Sequence, residues 1–361
     1  MRLLRKSDFG HCLCVTALVL AALLLGGCEG ADKQAPANTV VSPTESDKVR
    51  VFLQDPNNLQ FLNFWVARGA GFFAAEDLEL ELVFPPNAGK GDQFLFKGKA
   101  DIAVLPRPTY LKLIDQGQPV LVFANLLQND PINLVLRENL AEQRGLSVDM
   151  PLKARLEGLK GLRVGVAPGP PPRLRELFAS VGMDADTDIQ IVLVRGPDQN
   201  EAFEQDKVDA LYAHTPYVEK ALVAQGAVLL VNQSAGEVPT LAHREIHAMV
   251  TTQAYAREHP DILLRLTRAI YKAQQLIHMD QGAAREAILA SGIEMEFPAG
   301  LETIVALYAP AVPDTPAVSI AGAQRELELF PAKHKAPELS DARLAPHVDN
   351  QFVEAVLAGE H

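Results

Sequence analysis

Cysteine is confined to the first 28 residues of this 361-residue chain, at Cys12, Cys14 and Cys28. From residue 29 onward there is therefore no disulfide, no Cys-x-x-Cys zinc site and no cysteine nucleophile. Positive charge is scarce as well: 33 Lys and Arg stand against 45 Asp and Glu, a formal net charge of −12. A surface of that sign argues against nucleic acid and against a purely electrostatic grip on anionic lipid. Long apolar runs are missing. The apolar stretch Val15–Leu25 has 11 residues, where a membrane-crossing helix needs about 20. Familiar catalytic signatures are missing too. There is no G-x-S-x-G, and GKGD at 89–92 lacks the spacing of a phosphate-cradling loop. HREIH at 243–247 has its acid in the wrong place for a zinc-protease helix. On a strand, His243, Glu245 and His247 would share a face, but no fourth ligand is evident. No metal and no cofactor are expected.

What is present begins with an address. Arg2, Arg5 and Lys6 precede the short apolar stretch, and Leu25-Gly26-Gly27-Cys28 follows it. A positive start, a short apolar run and a small-residue exit make a secretory signal rather than a structural element. LGGC resembles the lipobox of bacterial lipoproteins. The resemblance implies cleavage after residue 27 and a lipid on Cys28. The chain would then sit in the cell envelope, lipid-anchored and facing the periplasm or exterior. Loss of Arg2, Arg5, Lys6 and Asp8 with the signal would take the net charge from −12 to −14. Residues 28–47 are polar and lack apolar periodicity, as in a flexible tether. Fully extended, the tether reaches roughly 65 Å.

From Val49 the apolar pattern switches between period 2 and period 3.6. Strand-like segments fall at Val49–Gln54, Leu78–Phe84, Asp101–Leu105 and Pro119–Asn125. Helix-like segments fall at Leu59–Ala75, Asp92–Lys97 and Tyr110–Gln116. This alternation predicts an α/β fold with a doubly wound, largely parallel sheet. After Asn133–Arg137 and a charged stretch, the pattern restarts at Leu162–Val166 and runs through Ala227–Val231. That is a second doubly wound unit. Beyond Ala248–Thr251 the chain reads as helical, from Pro260–His278 to Asn350–Leu357. Two open α/β lobes predict a ligand cleft between them, at the carboxyl ends of the strands.

Several segments resemble type II periplasmic binding proteins of the nitrate/sulfonate/bicarbonate and thiamine-precursor group. They are VRVFLQDPNNLQFLNFWVARGAGFFAAEDLELELV from Val49, FKGKADIAVLP from Phe96, LKGLRVGVAPG from Leu159, DKVDALYAHTPYVEKAL from Asp206 and HVDNQFVEAVL from His347. The resemblance covers roughly residues 48–357. It implies the type II periplasmic binding protein fold, with lobe one at 48–131 plus 253–361 and lobe two at 132–252. It implies a solute-binding component of an ABC importer, working as a monomer with permease and ATPase partners and without enzymatic activity. Ligand affinity would draw the lobes closed.

The segment VGVAPGPPPRLREL (164–177) bears on the ligand. A strand–turn–helix junction commonly holds an anion on unpaired helix N–H groups. Here Pro170, Pro171 and Pro172 have none to give, and only Gly169 and Arg173 retain one each. Nitrate or a small sulfonate would lose charge-assisted bonds at such a junction. Aromatic and amide groups gather in the same predicted loops: Asn57, Asn58, Phe61, Trp65, Asn87, Gln128, Tyr212, His214 and Tyr217. Flat apolar faces with a few amides suit a planar heterocycle or aromatic ring. Arg107, at a predicted strand end, would clamp one acidic group. The candidate ligand-binding set is these nine residues with Arg107, Gly169 and Pro170, and the expected ligand is a small planar or anionic molecule.

Two other classes fit the resemblance. A membrane-anchored sensor or scaffold would share the fold and differ in its partners. An enzyme similar to the fungal-type thiamine-pyrimidine synthase would need a pyridoxal-phosphate lysine and a reactive histidine. Lys90 and His214 are the residues that fall nearest the predicted cleft.

Overall fold

The computed structural model describes residues 46–54, 56–85, 91–330 and 339–359. Cys28, the tether before Ser46, Asn87 and Lys90 lie outside the described residues. Among the described residues ten strands, β1 to β10 in chain order, build two five-stranded sheets. The first holds β1 (Asp47–Phe52), β2 (Leu78–Val83), β3 (Ile102–Pro106), β4 (Val120–Leu127) and β10 (His247–Thr252), in the order β2-β1-β3-β10-β4. The second holds β5 (Asn133–Arg137), β6 (Arg163–Val166), β7 (Gln190–Leu193), β8 (Ala210–Ala213) and β9 (Ala227–Val231), in the order β7-β6-β8-β5-β9. Both belong to one compact unit spanning residues 44–361.

Each sheet has one strand that runs against its two neighbours. In the first it is β10, antiparallel to β3 and β4. In the second it is β5, antiparallel to β8 and β9. The reason is the route of the chain. After β4 the chain crosses at Gln128–Ile132 and enters the second sheet from the end where its parallel strands finish. After β9 it returns through Asn232–Ile246 and enters the first sheet in the same way. Both crossovers therefore lie where the parallel strands end.

The sequence pattern placed the strands because buried positions alternate or run continuously, as in β4, where all eight residues are buried. It differed from the structure in several places, among them a helix expected over Tyr110–Gln116 that runs from Arg107 to Asp115. The single helix expected over Leu59–Ala75 is a helix at Leu62–Gly69 between one-turn 3-10 segments at Leu59–Phe61 and Ala74–Glu76. The break is Gly71, whose φ of +73° suits glycine alone at low cost. The helix expected from Arg173 starts at Pro171, where proline's fixed φ is helical and its missing N–H has no intrahelical role. β10, expected in lobe two, hydrogen-bonds into the first sheet. The C-terminal helices, expected in lobe one, also reach the second sheet's side: Phe330 joins, and Leu329 packs against, the cluster that holds Leu177 and Phe178 of the helix Pro171–Ala179.

The main core joins the two sheets. It runs from Val49, Phe64 and Phe123 through Leu301, Ile304 and Tyr308 to Val135, Phe203 and Leu211. Separate clusters cover the outer faces, around Ala103, Leu111 and Val250 on the first sheet and around Val164, Leu174 and Tyr212 on the second. Each fully buried Leu, Val or Phe contributes about 1.5–3 kcal/mol.

Candidate ligand cleft

A cavity of about 280 Å³ opens between the sheets at their carboxyl ends. Gln54, Asn58 and Gln60 follow β1, and Pro106 ends β3. Pro131 and Ile132 come from the first crossover, and Ile246 and His247 from the end of the second. Pro170 and Arg173 follow β6, and His214 follows β8. This is where open α/β sheets place ligands, because loops and helix starts converge there.

The wall is polar and fixed. Asn58 Oδ1 accepts from the Gln60 N–H at 2.8 Å, capping the short turn. The Asn58 carbonyl accepts from Trp65 Nε1 at 2.8 Å. His214 Nδ1 lies 2.6 Å from the Thr215 carbonyl, which can only accept, so Nδ1 carries a proton. His247 stands edge-on to Phe61, with ring centroids 5.1 Å apart. Burial, with Arg173 and His214 adding to it, pushes the His247 imidazole down to about 3, so it is neutral at physiological pH. Its Nδ1 is buried and has no hydrogen-bond partner. His247 lines the cavity, and its Nδ1, covered in this structure, is a buried polar atom left without a partner.

Of the residues expected at the site, Asn58, Pro170 and His214 lie on this wall. Phe61 is buried behind His247. Trp65 is 2 % exposed and packs in the main core, so its part is to brace the Asn58 loop. Tyr212 is buried in the second sheet and donates to Gln233 at 2.8 Å. Tyr217 is half-buried, with its ring against His214 and Gly196. Asn57 and Gly169 are on neighbouring loops off the wall. Gln128 lines a separate cavity of about 280 Å³ with Asn125, His243 and Ser319.

Arg107 is corrected most sharply. It opens the helix Arg107–Asp115 and is 1 % exposed. Its Nε donates to the Glu245 carbonyl, and its Nη2 meets Glu245 Oε2 at 2.6 Å. Its charge is spent inside the protein. His243 and Glu245 both have positive φ, so HREIH is not a strand and its side chains do not share one face. Among the described residues no group of three or more His, Cys, Asp and Glu is placed to hold a metal.

Sequence reasoning missed Gln54, Gln60, Arg173 and His247. The sequence points to the N–H of Arg173, yet that group donates to the Pro170 carbonyl at 2.8 Å, and the Leu174 N–H donates to the same oxygen at 3.2 Å. With Pro171 and Pro172 lacking N–H groups, the first four residues of this helix offer a ligand no free donor. The Arg173 guanidinium instead reaches the wall and pairs with Asp130, Nε to Oδ2 at 3.2 Å.

Residues 58–284 match the family model described as NMT1/THI5 like. The formylaminopyrimidine-binding protein of Halalkalibacterium halodurans is 26 % identical over 296 residues, 79 % of this chain and 80 % of that protein. The alkanesulfonate-binding protein SsuA of Xanthomonas axonopodis pv. citri, solved with MOPS bound, superposes with a TM-score of 0.57 at 18 % identity, covering 85 % of this chain and 99 % of that one. The periplasmic nitrate-binding protein NrtA of Synechocystis PCC 6803 superposes with a TM-score of 0.60 at 14 % identity, covering 87 % and 89 %. At these identities the structures speak for the fold, which is that of the type II periplasmic binding proteins. Among the described residues no helix is long and apolar enough to cross a membrane.

Proposed function

The chain belongs to the NMT1/THI5-like family, and from that premise we propose that it is the extracytoplasmic solute-binding component of an ABC importer, holding a small planar molecule between its two sheets. The observation that carries this reading is the cavity at the carboxyl ends of both sheets, lined by His247, whose buried Nδ1 has no partner. Asn58, Gln60 and His214 surround the same space. Such a wall suits a flat, hydrogen-bonding heterocycle, and the formylaminopyrimidine-binding relative supports that chemistry. A lobe forms around each sheet and the two crossovers serve as the hinge. Closing the cleft strengthens every hydrogen bond to the ligand by expelling water. The Cys28 lipid holds the chain at the membrane, where permease and ATPase partners receive the solute.

The activity is capture and release, not turnover. A thermal-shift panel of formylaminopyrimidine, aromatic carboxylates, methanesulfonate and nitrate tests the reading. A ligand at 100 times its Kd raises stability by ~2.7 kcal/mol. A rise in Tm with the pyrimidine is expected. No shift with any compound would oppose the reading, and a shift with nitrate or methanesulfonate alone would oppose the planar ligand.

A further inference from the structure

Among the described residues, Arg173 is the one Lys or Arg on the cavity wall. Its Nε and Nη1 both face Asp130, at 3.2 and 3.3 Å. Asp130 lies in the first crossover, fully buried, beside the wall residue Pro131. It also receives Arg244 Nη2 at 2.5 Å, and Arg244 Nη1 meets Glu326 at 2.6 Å. The set Arg173, Asp130, Arg244 and Glu326 thus holds two positive and two negative charges. His247 adds none, being neutral. The helix start beside Arg173 adds no partial positive charge in the form of free N–H groups, because its donors are missing or bound to the Pro170 carbonyl.

We propose that Asp130 is a built-in counter-anion that sets the charge specificity of the cleft, occupying the anion position beside Arg173 so that uncharged ligands are taken and oxyanions are refused. The proposal rests on the solute-binding reading and deepens it. An oxyanion approaching Arg173 meets the Asp130 carboxylate already on Nε and Nη1, and the two negative charges repel. An uncharged ligand meets hydrogen-bonding groups: Arg173 Nη2, which has no protein partner among the described residues, and the amides of Gln54 and Asn58. A cationic ligand is refused by Arg173 itself. The proline run and the ion pair then serve one end, since both remove the features that hold an anion at such a junction.

Calorimetric titration of the whole chain at pH 8 tests this, with formylaminopyrimidine, methanesulfonate and N-methylpyridinium as uncharged, anionic and cationic probes. The unaltered protein is expected to bind the pyrimidine and to bind either ion at least tenfold more weakly. Asp130→Asn is expected to raise the affinity for methanesulfonate at least tenfold relative to the pyrimidine. Arg173→Gln, on the cavity wall and less demanding on the fold, leaves Asp130 unmasked toward the cavity. It is expected to raise the affinity for methylpyridinium and leave methanesulfonate weak, and it carries the test if Asp130→Asn does not fold. Methanesulfonate binding as tightly as the pyrimidine in the unaltered protein would overturn charge exclusion while leaving the solute-binding reading intact. Binding of no probe would overturn both. A folded variant with an unchanged order of preference would overturn the role given to its side chain.

Discussion

Arg107 and Arg173 show how a residue's role depends on partners far away in the chain. Both are arginines near the carboxyl end of a strand, and the sequence favours Arg107 as the ligand clamp. Its partner Glu245 lies 138 positions away and takes up its charge. Removing one member of a buried pair leaves the other uncompensated, at a cost of about 3–5 kcal/mol. Arg107→Ala is therefore expected to lower stability by that amount in a urea melt. A variant as stable as the parent would contradict the assignment. The wall residues were partly legible: Asn58, Pro170 and His214 follow from strand ends alone. His247 and Arg173 were not. The first depends on β10 returning to the first sheet, and the second on an ion pair with Asp130, 43 residues upstream.

At the scale of elements, the alternating pattern located nearly every strand because burial on one face imposes period 2. Which sheet a strand joins is decided by the crossovers, and no local pattern reports that; β10 is the case in point. Helix ends were less legible: the pattern ran through Gly71, although its positive φ ends the helix just before it. The helix Leu62–Gly69 was expected to run on, and its last residue packs close against a neighbouring helix backbone. A Cβ at Gly69 would lie 1.7 Å from the Ala287 carbonyl oxygen on the helix Gln281–Ala290. Alanine favours an isolated helix over glycine by about 1 kcal/mol. Overpacking against a backbone atom costs about 1–3 kcal/mol and outweighs it. Gly69→Ala is thus expected to lower the urea midpoint, and a raised midpoint would show that the two helices can part without penalty.

For the whole molecule, two sheets joined by two crossovers at one end create a polar cleft. A core continuous through Leu301–Tyr308 ties the sheets together on one side. The acidic balance of the chain, net −12, does not carry into the cleft, where the Arg173, Asp130, Arg244 and Glu326 charges cancel. Fold and family were legible because they rest on the order of many segments. The cleft's charge rests on a few side chains brought together from both crossovers and from the helices Pro171–Ala179 and Ile320–Leu329, and only the folded chain shows it. The central claim is that a planar solute sits between the sheets against His247. It is tested most directly by calorimetric titration of formylaminopyrimidine into the unaltered chain and into His247→Phe, a change that keeps the aromatic contact with Phe61 and removes the orphaned nitrogen. One hydrogen bond is worth about 1–1.5 kcal/mol, close to tenfold in affinity. One-to-one binding that weakens about tenfold in the variant is the predicted result. Equal affinity in both proteins, or no binding by the unaltered chain, would contradict it.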